Sequence, residues 1–128
     1  MKNLNQDHAS LLLRLVFGGV LLSHGLIKVF VFSIPGTVEF FGSLGFPAII
    51  AYLTIFGEVV GGAAIILGIK TRLAALLSLP ILLGATYVHS GSGFLFSNLN
   101  GGWEYPLVLV MLAIIVAIQG PGKCVIKK

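Results

Sequence analysis

Charge is what this sequence lacks. Only 9% of its 128 residues are Asp, Glu, Lys or Arg, against about 25% in an ordinary soluble domain. Four acidic and eight basic side chains cannot hydrate a particle of this size, which excludes a water-soluble domain. Cysteine is nearly absent as well. Cys124 stands alone, so there is no internal disulfide and no CxxC redox pair, and it reads as an ordinary thiol at the membrane surface. No Cys/His zinc pattern, glycine-rich nucleotide loop or nucleophile triad is present. The net charge of +4 does not indicate nucleic acid, whose binders gather Lys and Arg on one polar face. Here the basic residues stand singly at the ends of apolar runs.

What is present is hydrocarbon: 57% of the residues are hydrophobic and the mean hydropathy is +1.06. Four apolar stretches cover residues 10–32, 48–68, 72–89 and 103–119. A spanning helix needs roughly 20 residues, with about 17 as a practical minimum. The first two stretches meet that easily; the last two are short, which predicts local bilayer thinning or a loop dipping into the interface. Within lipid only helices and closed barrels satisfy the backbone, and these runs lack the period-two alternation of barrel strands. The expected class is therefore all-α: an integral, multi-pass, four-helix membrane bundle forming a single domain over residues 1–128. Lys2, Arg14, Lys70, Arg72, Lys123, Lys127 and Lys128 would share one side, leaving Lys28 on the other. Positive charge is retained in the cytoplasm, so both termini are expected there. The first stretch is too long for a cleaved signal peptide, and His24 and Lys28 follow where a small-residue cleavage site would be.

The connections differ in kind. Residues 69–71 form a tight turn that makes spans two and three an antiparallel hairpin. Residues 33–47 contain a short segment in which Thr37 could cap a helix with Phe40, Phe41 and Leu44 on one interfacial face. Residues 90–102, rich in Ser, Gly and Asn, read as a flexible cover. Pro106 falls in the first turn of span four, where its missing N–H costs little. Pro80, in the middle of span three, predicts a kink. Gly57 and Gly61 make a GxxxG pair, continued by Ala64 and Gly68, for close helix approach; packing within the chain is the expectation.

A charged side chain at the bilayer centre costs at least about 2.5–3.5 kcal/mol, so such residues usually face the protein interior and mark function. Arg14, His24, Lys28 and Glu58 lie within the apolar stretches, and His89 and Glu104 border them. At about 100° per residue, Arg14, His24 and Lys28 share an arc of roughly 80°, and Gly18 and Gly25 lie on the same face. Glu58, central in span two, lies in depth between Arg14 and His24, and either could pair with it. Five of the six groups converge on the outer half, with Arg14 below them. They would form either a buried ion-pair network that sets helix register or a polar cavity open to the outside. Bis-histidine haem ligation by His24 and His89 is permitted but not indicated.

The same residues carry a resemblance. Arg14-Leu-Val-Phe-Gly18, His24-Gly25-x-x-Lys28 and Phe41-Gly-Ser-Leu-Gly-Phe-Pro47 occur in order. Glu58-x-x-Gly61-Gly62, Leu67-Gly68, Thr71-Arg72 and His89 follow, then Gly102-Trp-Glu104-Tyr-Pro106 and Gly120-Pro-Gly122. In this series the chain resembles the DoxX family of small bacterial membrane proteins. The resemblance implies four helices in the bacterial inner membrane and an association with redox chemistry. Relatives include a membrane subunit of thiosulfate–quinone oxidoreduction, proteins labelled oxidoreductases, and others linked to quinone, catechol or thiol stress. The chain has no redox cofactor motif, so a redox role implies a bound quinone-like molecule or a partner subunit.

Three functions remain open on this reading. The first is a redox-associated subunit holding a quinone-like or other small molecule near His24, Lys28 and His89. The second is a small-solute or proton-coupled transporter using Glu58. The third is a non-catalytic structural or assembly subunit of a membrane complex, in which the ion pairs only organise the helices. The expected partners are the lipid bilayer and either a redox subunit or further copies of the chain in a homo-oligomer.

Overall fold

A computed structural model describes residues 2–95, 97–98 and 101–126, with the backbone alone for residues 2–5. Its elements are α1 (Lys2–Phe30), α2 (Ile34–Ser43), α3 (Ala48–Leu67), α4 (Thr71–His89) and α5 (Glu104–Gln119), with a 3-10 turn at Ser90–Ser92. Among the described residues there is no strand. Helix α1 begins well before its apolar stretch, since nothing before Gly18 breaks the ladder. Helices α1, α3 and α4 are long and apolar enough to cross a membrane. Helix α5 is apolar but has 16 residues, about 24 Å at 1.5 Å per residue, short of the roughly 30 Å hydrocarbon layer.

The interior is a small apolar core. Phe17 and Leu21 of α1 meet Ile65 of α3, Leu82 of α4, and Leu109 and Val116 of α5. The exterior is equally apolar: Leu12, Phe30, Phe56, Leu77 and Ile118 all lie with most of their surface outside the protein. Exposed apolar surface on every side of a helix assembly is stable in lipid and not in water. The chain is a membrane protein.

Glycines set the register between α1 and α3. A Cβ on Gly62 would stand 2.6 Å from the Leu22 amide nitrogen and 2.9 Å from the Gly18 carbonyl oxygen. A Cβ on Gly25 would stand 3.0 Å from the Val59 nitrogen and 3.1 Å from Glu58 Cβ. The two backbones therefore touch in antiparallel fashion, and the glycine face expected on the first span is the contact face. The GxxxG pair plays a different part. Gly57 makes room for the Ile81 side chain of α4, and Gly61 has only the tip of Leu21 within 4 Å. Gly62, one residue on, makes the backbone contact, because position 62 and not 61 shares the face of Glu58 and Ile65.

The α3–α4 turn is as tight as expected. Gly68 takes φ 74°, its N–H donates to Ile65 O, and Ile69 N–H donates to Ala64 O at 2.8 Å, the paired closure of a Schellman cap. The cap of α2 differs from expectation. Ser33, not Thr37, is the N-cap, its Oγ accepting from Gly36 N–H at 3.1 Å. Thr37 is buried instead, and its hydroxyl donates to Ser33 O at 2.9 Å and Lys28 O at 3.1 Å, tying α2 to the end of α1. Helix α4 stays helical through Pro80, and Pro106 is in the first turn of α5. The 90–102 connection is not simply a loose cover: Trp103 and Glu104 N–H groups donate to Gly93 and Phe94 carbonyls, and the Phe94 and Trp103 rings meet edge-on at 4.7 Å. Of the seven flanking basic residues, Lys127, Lys128 and the Lys2 side chain lie outside what is described.

Candidate functional site

The structure divides the six polar residues into three groups. Arg14 is almost fully buried, and its Nη1 and Nη2 donate to the carbonyls of Pro121 and Cys124 at 3.0 and 3.1 Å. It holds the C-terminal segment against the α3–α4 turn, where Ile126 N–H reaches Leu67 O. Exposed Arg72 packs against Gly120 at the same end. Arg14 is therefore a structural clasp at the far end from the other polar groups.

His24, half-buried, turns toward α5, where its ring lies 5.9 Å from that of Tyr105 at 58°. Glu104 opens α5. Neither lines the main cavity.

Lys28 and Glu58 meet. Lys28 Nζ lies 2.8 Å from Glu58 Oε1, with the Glu58 side chain 5% exposed and that of Lys28 20%. The pairing expected from depth, with Arg14 or His24, is not formed. Glu58 sits level with Gly25, about 16 Å along α1 from Arg14 at 1.5 Å per residue. Lys28 is less than one turn beyond Gly25, and helical side chains lean toward the N-terminus, so its long stem reaches back to the carboxylate. His24 neighbours Gly25 in sequence but projects about 100° away.

This ion pair lines a cavity of about 790 Å³ between α2, α3, α4 and the end of α1, within the size range of small-molecule sites. Its walls are mostly apolar and include four phenylalanines, Phe32, Phe40, Phe41 and Phe46. Phe40, Phe41 and Leu44 do share one face, and that face lines the cavity. His89 lines it from the end of α4, with Nδ1 2.8 Å from Ala85 O. Of the six sequence candidates, Lys28, Glu58 and His89 are thus brought to one chamber, and Arg14, His24 and Glu104 are not.

Several lining residues were not singled out from sequence. Ile50 and Thr54 precede Glu58 at four-residue steps, and Ile81 and Ala85 precede His89 likewise, while Gly84 and Val88 form an adjacent row with Pro80, which the sequence had marked only as a kink. Steps of four from a polar residue mark the face it shares, and that signal would have found them. Gly84 is informative: a Cβ there would meet nothing within 4 Å. Its missing side chain leaves cavity space and permits no helix contact. Among the described residues, no group of three His, Cys, Asp or Glu is placed to hold a metal ion.

The family model for DoxX matches residues 9–91. The chain belongs to the DoxX family. All of the cavity lining, residues 28–89, falls inside that match. This DoxX protein is similar over its length to two bacterial proteins. It is 31% identical over 118 residues to the Bacillus subtilis (strain 168) protein named "Putative oxidoreductase CatD", covering 92% of this chain and 84% of that one. It is 32% identical over 114 residues to an uncharacterized protein of Haemophilus influenzae (strain ATCC 51907 / DSM 11121 / KW20 / Rd), covering 88% and 83%. No solved structure matches the chain.

Proposed function

We propose that this DoxX protein is a redox-associated subunit of the bacterial inner membrane that binds a quinone-like aromatic molecule in the α2-side cavity. The observation that carries the reading is the Lys28–Glu58 ion pair set inside a chamber walled by four phenylalanines. Phenyl faces suit a flat ring, and offset or edge contacts between aromatic rings contribute about 0.5–1.5 kcal/mol each beyond area burial. The Lys28 ammonium has three N–H donors; one faces Glu58, leaving others for an oxygen on the ring. The oxidoreductase named among the relatives gives the redox association its support. None of the cavity's side chains is itself a redox group, so electrons would pass through the bound ring and a partner subunit.

In this reading α1, α3, α4 and α5 form a four-helix, single-domain bundle with α2 lying at the outer interface. Arg14, Lys70, Arg72 and Lys123 gather at the end opposite Lys28, which supports a cytoplasmic location for both termini. Mass spectrometry of small molecules retained by gently purified protein tests the function. A recurring ring-bearing species that is lost from Lys28→Met is expected. Retention of no such molecule, together with no binding of added 1,4-naphthoquinone or its reduced form in nanodiscs, would overturn the reading.

A further inference from the structure

We infer that the cavity prefers a hydroxyl-bearing aromatic, the phenolic or hydroquinone form of its ligand, over the corresponding quinone. This rests on the binding function proposed above and adds which form of the ring the site takes.

The polar lining of the cavity accepts more hydrogen bonds than it donates. Five polar side chains line the cavity: Lys28, Thr37, Thr54, Glu58 and His89. The Thr37 hydroxyl donates its proton to Ser33 O and Lys28 O, and the Thr54 hydroxyl donates to Ile50 O at 2.8 Å. Both therefore present only lone pairs to the chamber. The Glu58 carboxylate, paired to an ammonium, accepts only. His89 Nδ1 lies 2.8 Å from the Ala85 carbonyl. A carbonyl only accepts, so Nδ1 carries a proton, and whenever the ring holds just that one proton Nε2 is an acceptor.

The backbone adds no donor. Gly36 N–H is bound to Ser33 Oγ. Leu44 and Phe46 N–H groups are bound to Phe41 O, and that of Ile50 to Pro47 O. The other cavity-lining N–H groups belong to the helices or the turn that ends α1, apart from that of Pro80, which has none.

One donor, Lys28, thus faces four acceptors. A quinone offers two carbonyl oxygens, which only accept, and can satisfy Lys28 while leaving the acceptors unanswered. A dihydroxy ring can accept from Lys28 through one oxygen and donate from its hydroxyls to His89 Nε2, Thr54 Oγ1 or Glu58. Ligand donors lost to water and not replaced in a buried site cost affinity, as do protein acceptors left dry. The preference is one of binding and involves no electron transfer by the protein.

The test uses full-length protein in lipid nanodiscs under anaerobic conditions, titrated by calorimetry with 1,4-dihydroxynaphthalene and with 1,4-naphthoquinone, after subtraction of empty nanodiscs. The dihydroxy form is expected to bind about tenfold more tightly, the equivalent of one net hydrogen bond of about 1.4 kcal/mol. Thr54→Val keeps the side-chain shape and removes one acceptor, and His89→Phe removes another. Each should narrow the ratio of the two affinities, and an unchanged ratio in both variants would overturn the acceptor argument. Equal affinities, or tighter quinone binding, would overturn this inference and leave the proposed function standing. Binding of neither compound would overturn both.

Discussion

Glu58 and Lys28 form an ion pair at 2.8 Å across the α1–α3 interface, next to the point where Gly25 lets the two backbones touch. The pair does two things at once. It neutralises a carboxylate that is 4% exposed as a whole residue, and it leaves spare ammonium protons at the wall of the cavity.

Removing one partner should cost more than removing both. Lys28→Met strands the Glu58 carboxylate, and breaking a buried pair costs about 3–5 kcal/mol; because Lys28 is 20% exposed, the lower end is expected. The double variant Lys28→Met/Glu58→Leu should regain most of that loss. Unfolding titrations in mixed micelles check this, and equal stability of Lys28→Met and wild type would refute it.

Two glycines on neighbouring positions should respond in opposite ways. Gly18→Ala places a Cβ 2.9 Å from Ile66 Cγ1 and 3.0 Å from Gly62 O, an overpacked contact expected to destabilise by about 1–3 kcal/mol. Gly19→Ala meets nothing within 4 Å and should stabilise α1 by up to about 1 kcal/mol through helix propensity. Thermal midpoints in detergent distinguish them.

Gly84→Leu should close the chamber without harming the fold. Its Cβ points into open space, so the side chain enters the cavity while α4 gains a better helix former. Ligand affinity is expected to fall at least about tenfold with an unchanged or higher thermal midpoint. Undiminished affinity would show that the ligand lies elsewhere.

Arg14→Met should release the C-terminal segment and spare the cavity. Two charge-assisted bonds, to Pro121 O and Cys124 O, are lost, worth about 1.5–3 kcal/mol each. Hydrogen exchange over residues 120–126 should accelerate, and ligand affinity should stay within about twofold. Protection that persists in the variant would assign the clasp to other contacts.

Cys124 is the one cysteine and is exposed, which makes it a topology reporter. A membrane-impermeant maleimide should label it in inside-out vesicles and not in intact cells. Labelling of intact cells would reverse the proposed orientation.

The sequence by itself determined the solvent, the helical class and the contact face of the first span. Hydropathy and residue spacing are local properties, readable in windows of a few turns, so twelve charges in 128 residues sufficed to require lipid. Gly18 and Gly25 likewise marked a face that another helix could approach. The tertiary structure decided how the costly polar residues are shared out. Arg14 caps a tail, His24 faces Tyr105, and Lys28, Glu58 and His89 meet at one chamber. That division depends on the sliding register of α3 along α1 and on how far a lysine reaches back along its helix. Both are set by contacts between residues thirty or more positions apart, such as Gly62 against Leu22, and no window along the chain contains them.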